Sequence, residues 1–208
     1  MEIVIATDKH IKYALKISQT IDKSAEERGT GIAKRTPDYI EAKIKNGNAV
    51  IALEGEVFAG FCYIETFGEK NFVVHSGLIV HPDFRNQGLA KRIKTEVFKY
   101  SQKKYPKSKI FGITTGLAVM KINYELGYKP VTFSELTDDP DFWKGCQTCR
   151  NYDVLQRTNQ KMCLCTGMLY DGKKNEDNKH PYDSKSLSRL KRIKRSLFLK
   201  KSDQKKNK

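Results

Sequence analysis

LIVHPDFRNQGLAKRI, residues 78–93, carries the strongest structural signal in the chain. An apolar run ends just before Pro82, and a short polar turn that contains Gly88 follows it. Beyond the turn, apolar side chains recur at spacings of three and four, at Leu89, Ile93, Val97 and Tyr100. Such spacing is typical of a helix with one buried face. The stretch therefore predicts a strand that ends near Val80, a turn, and a helix over 88–104.

The turn and the start of this helix together form a candidate anion site. The first N–H groups of a helix have no partner inside it, and their partial positive charge favours phosphate. Gly88 has no Cβ atom, so a ligand can approach the backbone closely there. We interpret residues 85–90 as a phosphate-binding turn. The alternative is a helix start with an ordinary glycine turn.

The pattern Arg85-x-x-Gly88-x-Ala90 after a strand resembles the acyl-CoA pyrophosphate loop of the GNAT acetyltransferase superfamily. It lacks the earlier glycines of the Rossmann fingerprint and the Gly-Lys-Ser/Thr of a P-loop. The resemblance implies that loop N–H groups bind the pyrophosphate. It also implies that pantetheine pairs with the preceding strand edge like an added strand, where one N–H polarises the thioester carbonyl. The CoA-binding residues so implied are Ile79, Val80, Arg85, Asn86, Gln87, Gly88, Leu89 and Ala90.

The rest of the chain predicts strands and helices in an order similar to the GNAT fold. Strands are expected over 2–6, 48–53, 57–67, 72–80, 109–115 and from Tyr128 onward. Helices are expected from a cap at Asp8 to about Arg28, from Thr36-Pro37 to Gly47, over 88–104 and over 117–126. The first helix is expected to bury Ile11, Ala14, Leu15, Ile17 and Ile21. The predicted class is α/β (α+β), with a mixed, mostly antiparallel sheet flanked by helices and a small Cys-rich C-terminal extension.

The resemblance also implies acid–base roles. Many GNAT enzymes protonate the leaving thiolate with a tyrosine four residues before the glycine that ends this helix, here Gly127. Asn123 occupies that position, and Tyr124 is turned from it by about 100° around the helix. Tyr124 is thus a candidate acid, with a packed aromatic as the alternative. His75 and Glu65 are candidate general bases, and a water chain without a single base is the third option.

The connection between the first two helices, residues 28–36, is basic and rich in glycine. The GNAT resemblance implies that the acceptor pocket lies there. Arg35 can bind a carboxylate through two parallel hydrogen bonds, and Lys34 and Thr114 are expected to contribute. A solvated basic loop is the alternative. Polycationic acceptors are disfavoured, because like charges repel.

Three segments extend the likeness: GTGIAKRTPDYI, FGITTGLAVMKI and LTDDPDFWKGC. They look like segments of bacterial GNAT proteins linked with arginine biosynthesis and suggested as N-acylglutamate synthases. The likeness implies a carboxylate-bearing amine, such as glutamate, as acceptor, and acetyl-CoA or another acyl-CoA as donor. Two alternatives stay open. The acceptor is a protein or peptide amine, or the domain is a non-catalytic acyl-CoA-binding module.

Four of the five cysteines, Cys146, Cys149, Cys163 and Cys165, fall within twenty residues. Paired cysteines at short spacing suit a structural zinc ion bound by four thiolates, although the Cys-x-Cys half is unusual. Free or redox-active cysteines and disulfides are the alternatives. Cys62, alone in a strand, is predicted to lie in the core.

Composition indicates a soluble globular protein with a polar tail. The 208 residues are 38% hydrophobic and 30% charged. No apolar stretch reaches the roughly 18 residues that span a bilayer, and MEIVIATDKH does not read as a signal peptide. We therefore expect a cytoplasmic location, with cysteines reduced unless they bind metal. A homodimer is compatible with the sequence.

The chain is predicted to have three parts: a GNAT domain over 1–136, a Cys-rich extension packed on it over 137–171, and a basic, largely disordered tail over 172–208. The tail has fourteen Lys or Arg and four Asp or Glu, so it holds +10 of the net charge of +15. Within it, residues 186–201 predict a basic amphipathic helix suited to RNA, an acidic partner or an anionic membrane surface. A frayed extension without a partner is the alternative.

Overall fold

A computed structural model describes residues 1–28 and 33–172. Its strands are β1 (Glu2–Ile5), β2 (Ala49–Glu54), β3 (Val57–Phe67), β4 (Phe72–Val80), β5 (Lys109–Thr114), β6 (Lys129–Val131) and β7 (Thr166–Tyr170). They form one sheet in the order β1-β2-β3-β4-β5-β7-β6. Every neighbouring pair is antiparallel except β4 and β5, which are parallel. The predicted mixed, mostly antiparallel sheet is confirmed.

The α-helices are α1 (Ala14–Arg28), α2 (Pro37–Lys45), α3 (Leu89–Lys104), α4 (Leu117–Glu125), α5 (Pro140–Lys144) and α6 (Tyr152–Arg157). A 3₁₀ turn over Asp8–Tyr13 precedes α1. The predicted cap at Asp8 is wrong, because Thr7 holds the extended capping position and donates its N–H to His10 Nδ1 at 2.9 Å. Leu15 is 57% exposed and not buried as expected, because the 3₁₀ turn shifts the phase of the helix.

Helices cover both faces of the sheet. On one face, α1 and α2 bury Ile17 and Ile40 against Phe61 of β3. On the other face, α3 buries Ile93 against Ile64 of β3. Successive strand residues point to opposite faces, so β3 supplies side chains to both cores. This arrangement explains why β3 is buried along most of its length.

The centre of β4 contains a bulge at Gly77. Tyr63 of β3 pairs with Ser76, whereas Phe61 pairs with Ile79, so β4 has one extra residue between these pairs. Gly77 has φ +64°, and a Cβ atom there would lie 2.4 Å from Cε1 of Tyr63. β4 therefore has a bulge at Gly77, and the ring of Tyr63 occupies the space that a Cβ atom would need.

β4 and β5 pair over a short length and then separate. Their parallel ladder joins Phe72, Val73 and Val74 to residues 109–111, and no pairing beyond it is present in the described residues. A Cβ atom on Gly112 would lie 3.3 Å from the His75 carbonyl oxygen. The strands therefore lie close at the start of the separation, and the β4 edge beyond it is free to pair with a ligand.

β7 comes from the Cys-rich segment and pairs with both β5 and β6. This strand is absent from the elements predicted from the sequence. Residues Met1–Asp171 form one compact unit. The predicted tail helix over 186–201 lies outside the described residues. No helix in 1–28 or 33–172 is long and apolar enough to cross a membrane.

Candidate active site

A cavity of about 480 Å³ occupies the space where β4 and β5 separate. Strand residues line it from both sides, namely Ser76, Gly77 and Leu78 of β4 and Gly112, Ile113 and Thr114 of β5. Arg35, Tyr39 and Glu65 form another wall, and Lys94 of α3 and Asn123 of α4 reach it as well. Backbone edges, charged groups and an amide thus converge on one space.

The predicted phosphate turn has the backbone that anion binding requires. Asn86 and Gly88 both have positive φ, at 62° and 72°, and Gly88 caps α3 in the left-handed region. A Cβ atom on Gly88 would meet nothing within 4 Å, so the space beside it is open. Within the described residues, the backbone N–H groups of Asn86, Gln87 and Gly88 donate no hydrogen bond. These N–H groups and the first N–H groups of α3 are available to a pyrophosphate.

The side chains around this turn are less free than its backbone. Arg85 donates Nε to the Val80 carbonyl at 3.3 Å and Nη2 to Ser24 at 3.3 Å, and its Nη1 lies 3.5 Å from Glu27. Arg85 is thus held against α1 and β4. Ile79 and Val80 lie on β4 directly after the part of the strand that lines the cavity.

Arg35 is the charged group best placed for an acceptor carboxylate. Its Nε donates to the Tyr63 hydroxyl at 2.5 Å, and its Nη1 donates to the Lys34 carbonyl at 2.9 Å. The guanidinium lies 5.2 Å from the ring centroid of Tyr39. No carboxylate forms an ion pair with it in the described residues. Burial by itself would lower the pKa of Arg35, but nearby Tyr63 and Glu65 more than offset it, so the pKa is raised. Arg35 therefore stays charged and keeps donors for a ligand.

The other two predicted acceptor residues differ in their position relative to the cavity. Thr114 lines the cavity and accepts the N–H of Gly116 at 3.0 Å. Lys34 is exposed and is absent from the cavity lining, while its backbone N–H donates to Thr148 at 3.2 Å. Only the guanidinium of this basic pair faces the cavity.

Glu65 also lines the cavity, but it already has two partners. Its Oε1 accepts from the Tyr39 hydroxyl at 2.5 Å and from Lys43 Nζ at 2.7 Å, and its side chain is 18% exposed. Its Oε2 atom has no hydrogen-bond partner among the described residues. The carboxylate can therefore accept a proton relayed by water at that oxygen.

His75 is fully occupied by a buried hydrogen-bond network. The Ser101 hydroxyl donates to the Val97 carbonyl, so His75 Nε2 is the donor to Ser101 Oγ at 2.8 Å. Nδ1 is then the acceptor from Lys94 Nζ at 2.9 Å and from the Tyr128 hydroxyl at 3.1 Å. Burial, aided by the charge of Lys94, lowers the pKa of His75 well below its usual value. A neutral ring with both nitrogens occupied is poorly suited to the predicted role of base.

The tyrosine and the asparagine of α4 lie in different environments. Tyr124 is 71% exposed and is absent from the cavity lining, so neither the acid role nor a packed core position fits it. Asn123 is 1% exposed, lines the cavity, and has an Oδ1 atom without a hydrogen-bond partner in the described residues. No sequence pattern predicts that Asn123 and Lys94 line the same cavity.

The four clustered cysteines form part of the cavity wall as free thiols. The pKa of Cys146 is raised to about 11 and that of Cys165 to about 12, mainly by burial and further by the neighbouring thiols. In residues 1–28 and 33–172, no group of three or more His, Cys, Asp or Glu is arranged to hold a metal ion. The predicted zinc ion therefore has no support. Cys62 is fully buried in the core, as predicted.

Comparison with known proteins finds one matching family model. Residues 19–117 match the model of the acetyltransferase (GNAT) family. No curated protein matches the sequence.

Several solved structures share the fold at low identity. N-acetylglutamate synthase from Neisseria gonorrhoeae, complexed with coenzyme A and N-acetyl-glutamate, is 19% identical with a TM-score of 0.56. The match covers 81% of this chain, which spans about a third (34%) of the Neisseria chain. A Mycobacterium tuberculosis protein in complex with CoA is 10% identical, with a TM-score of 0.59 over 82% of this chain and 99% of that one. A putative acetyltransferase from Salmonella typhimurium with acetyl-CoA is 14% identical, with a TM-score of 0.55 over 88% and 98%.

Proposed function

Because residues 19–117 belong to the GNAT acetyltransferase family, we propose that this N-acetyltransferase acts on a small carboxylate-bearing amine, with glutamate as the first candidate. The acyl donor is acetyl-CoA. The bound N-acetyl-glutamate of the Neisseria structure supports this choice of acceptor through the shared fold.

Arg35 is the observation that carries the proposal. Tyr63 and the Lys34 carbonyl fix its guanidinium, which leaves Nη2 and the outer N–H of Nη1 for a ligand. A planar guanidinium held in this way binds a carboxylate through two parallel hydrogen bonds. Its positive charge also repels a polyamine or a lysine-rich acceptor, so a small anionic amine is favoured.

The remaining residues suit direct acyl transfer. The free edge of β4 beside Ser76 and Leu78 offers backbone N–H groups to pantetheine and to the thioester carbonyl. The N–H groups of the Gly88 turn are placed for the pyrophosphate. The acceptor must lose an ammonium proton before its nitrogen attacks, and Glu65 can take that proton through water at Oε2.

Thiol release from acetyl-CoA tests the acceptor. Initial rates are measured with glutamate, aspartate, glutamine, lysine, spermidine and a lysine peptide at fixed acetyl-CoA concentration. We expect glutamate to give the highest kcat/KM and glutamine to be at least tenfold lower. That ratio corresponds to about 1.4 kcal/mol, which is within the range of one charge-assisted hydrogen bond.

Two arginine variants separate the proposed contact from a general charge effect. Arg35→Met should raise the KM for glutamate by about a hundredfold or more, because a desolvated carboxylate contact is lost. Arg157→Met is the matched control, since Arg157 lies on α6 with 70% side-chain exposure and is absent from the cavity lining. A preference for lysine or spermidine, or equal glutamate KM values for the two variants, would overturn the proposal.

A further inference from the structure

Lys94 is a buried cation in the wall of the cavity. It lies on α3 and is 2% exposed, whereas most lysines in folded proteins keep the amine in water. Its Nζ donates one hydrogen bond, to His75 Nδ1 at 2.9 Å, and lies 5.2 Å from the ring centroid of Tyr128. Within the described residues no carboxylate lies within ion-pair distance of it. An ammonium group has three donors, so two remain for a ligand.

The titratable groups that face Lys94 are all neutral at pH 7. They are His75 on β4, Cys62 on β3 and Tyr128 just before β6. Burial is the first cause in each case: it lowers the pKa of His75, raises that of Cys62 to about 11 and raises that of Tyr128. Lys94 thus brings an uncompensated positive charge into a low-dielectric site. A buried unpaired charge is costly, so such a position indicates an anion that is present during function.

Asn123 gives a second indication that this cavity holds a polar ligand. Its Oδ1 atom is buried and has no hydrogen-bond partner in the described residues, which is rare in folded proteins. The amide of Asn123 carries no charge, whereas the ammonium group of Lys94 lines the same cavity and can balance an anion there.

We propose that Lys94 stabilises the CoA thiolate as it leaves. The acceptor amine, having lost one proton to water, attacks the thioester carbonyl carbon, and the C–S bond breaks with its electron pair on sulfur. The ammonium group of Lys94 pairs with that sulfur anion, while the new amide nitrogen loses its second proton to water. Water returns one proton to the thiolate as CoA leaves. This inference rests on acetyl transfer from CoA and not on the identity of the amine.

Titration of the thiol of bound CoA tests the role without any acceptor. The thiolate absorbs in the ultraviolet, so the difference spectrum between the CoA complex and the free protein gives the thiol pKa. A nearby positive charge lowers such a pKa by about one to three units. We expect a thiol pKa at least one unit lower in the wild-type complex than in the Lys94→Met complex. Lys99→Met is the control, because Lys99 lies on the same helix with 65% side-chain exposure.

The outcomes separate this inference from the proposed acceptor. Equal thiol pKa values in wild type and Lys94→Met, with CoA bound to both, would overturn the role of Lys94 even if glutamate is acetylated. A lowered pKa that depends on Lys94 would support it even if the acceptor is another amine. If Lys94→Met does not fold, the pH dependence of CoA binding by the wild-type protein still tests the proposal. A thiol pKa one unit below the usual value of about 8.5 should raise the protein's affinity for CoA relative to dethio-CoA about threefold from pH 6 to pH 8, and a flat ratio contradicts the proposal.

Discussion

Replacing Lys94 by methionine should make the protein more stable while it slows acetyl transfer. Methionine keeps the length of the side chain and removes its charge. Burial lowers the pKa of Lys94 from 10.5 to about 8, and a shift of that size corresponds to about 3 kcal/mol in favour of unfolding at neutral pH. Loss of the hydrogen bond to His75 offsets about 1 kcal/mol. The net gain in unfolding free energy is then about 2 kcal/mol.

The pH dependence of this gain has a definite sign. Below pH 8 both the folded and the unfolded chain hold the Lys94 proton, so the full penalty is present in wild type. Between pH 8 and 10.5 the unfolded chain binds more protons at this site than the folded chain, so wild type gains stability relative to the variant. The advantage of Lys94→Met should therefore shrink steadily across that window.

Urea unfolding at pH 7 and at pH 10 measures the effect, with Lys99→Met as the control on the same helix. At pH 7 the unfolding free energy of the Lys94 variant should exceed that of wild type by about 2 kcal/mol, and the control should stay within about 0.5 kcal/mol of wild type. A variant less stable than wild type at pH 7 would refute the reasoning. So would a stability difference that is the same at both pH values.

Further variants at Gly88, Gly77 and His75 test the site and the backbone around it. Gly88→Val should weaken CoA binding and lower the unfolding free energy by about 1–2 kcal/mol, because φ at this position is +72°. Gly88→Asn is the control, since asparagine tolerates that conformation, and calorimetry with CoA compares the two variants. Gly77→Ala should cost about 2 kcal/mol or more in urea unfolding, since its Cβ would lie 2.4 Å from Tyr63 at a positive φ. Wild type should lose stability as pH falls below about 6.5, because unfolding lets His75 take up a proton that its lowered folded pKa excludes; His75→Asn should flatten that part of the urea-midpoint profile.

The sheet strands near the bulge were predictable because their signals are local. Val57–Phe67 and Phe72–Val80 have the bounds that the sequence indicated, since apolar runs between turn residues define both. The helix after Gly88 was predictable for the same reason, as its apolar spacing repeats over about three turns. In contrast, Thr166–Tyr170 was missed because it is short and its partner, β5, is distant in sequence.

The candidate site was only partly predictable. Arg35 and Thr114 were named from the sequence and do line the cavity, and Glu65 lies there too. Lys94 was not named, because a lysine in an amphipathic helix ordinarily reads as part of the solvated face. It follows Ile93, and only the packing of α3 against β4 shows that its side chain turns inward to His75.

The amino-acid order by itself determined the strand, the glycine turn and the helix that follows it, because backbone conformation and helix periodicity depend on neighbours a few residues apart. Tertiary structure alone decided which charges meet in the cavity. There, β4 and β5 separate and leave a strand edge free, and His75 Nδ1 accepts a hydrogen bond from Lys94. No carboxylate in residues 1–28 and 33–172 forms an ion pair with that amine. Burial sets the charge of such groups, and burial depends on contacts between segments far apart in the chain.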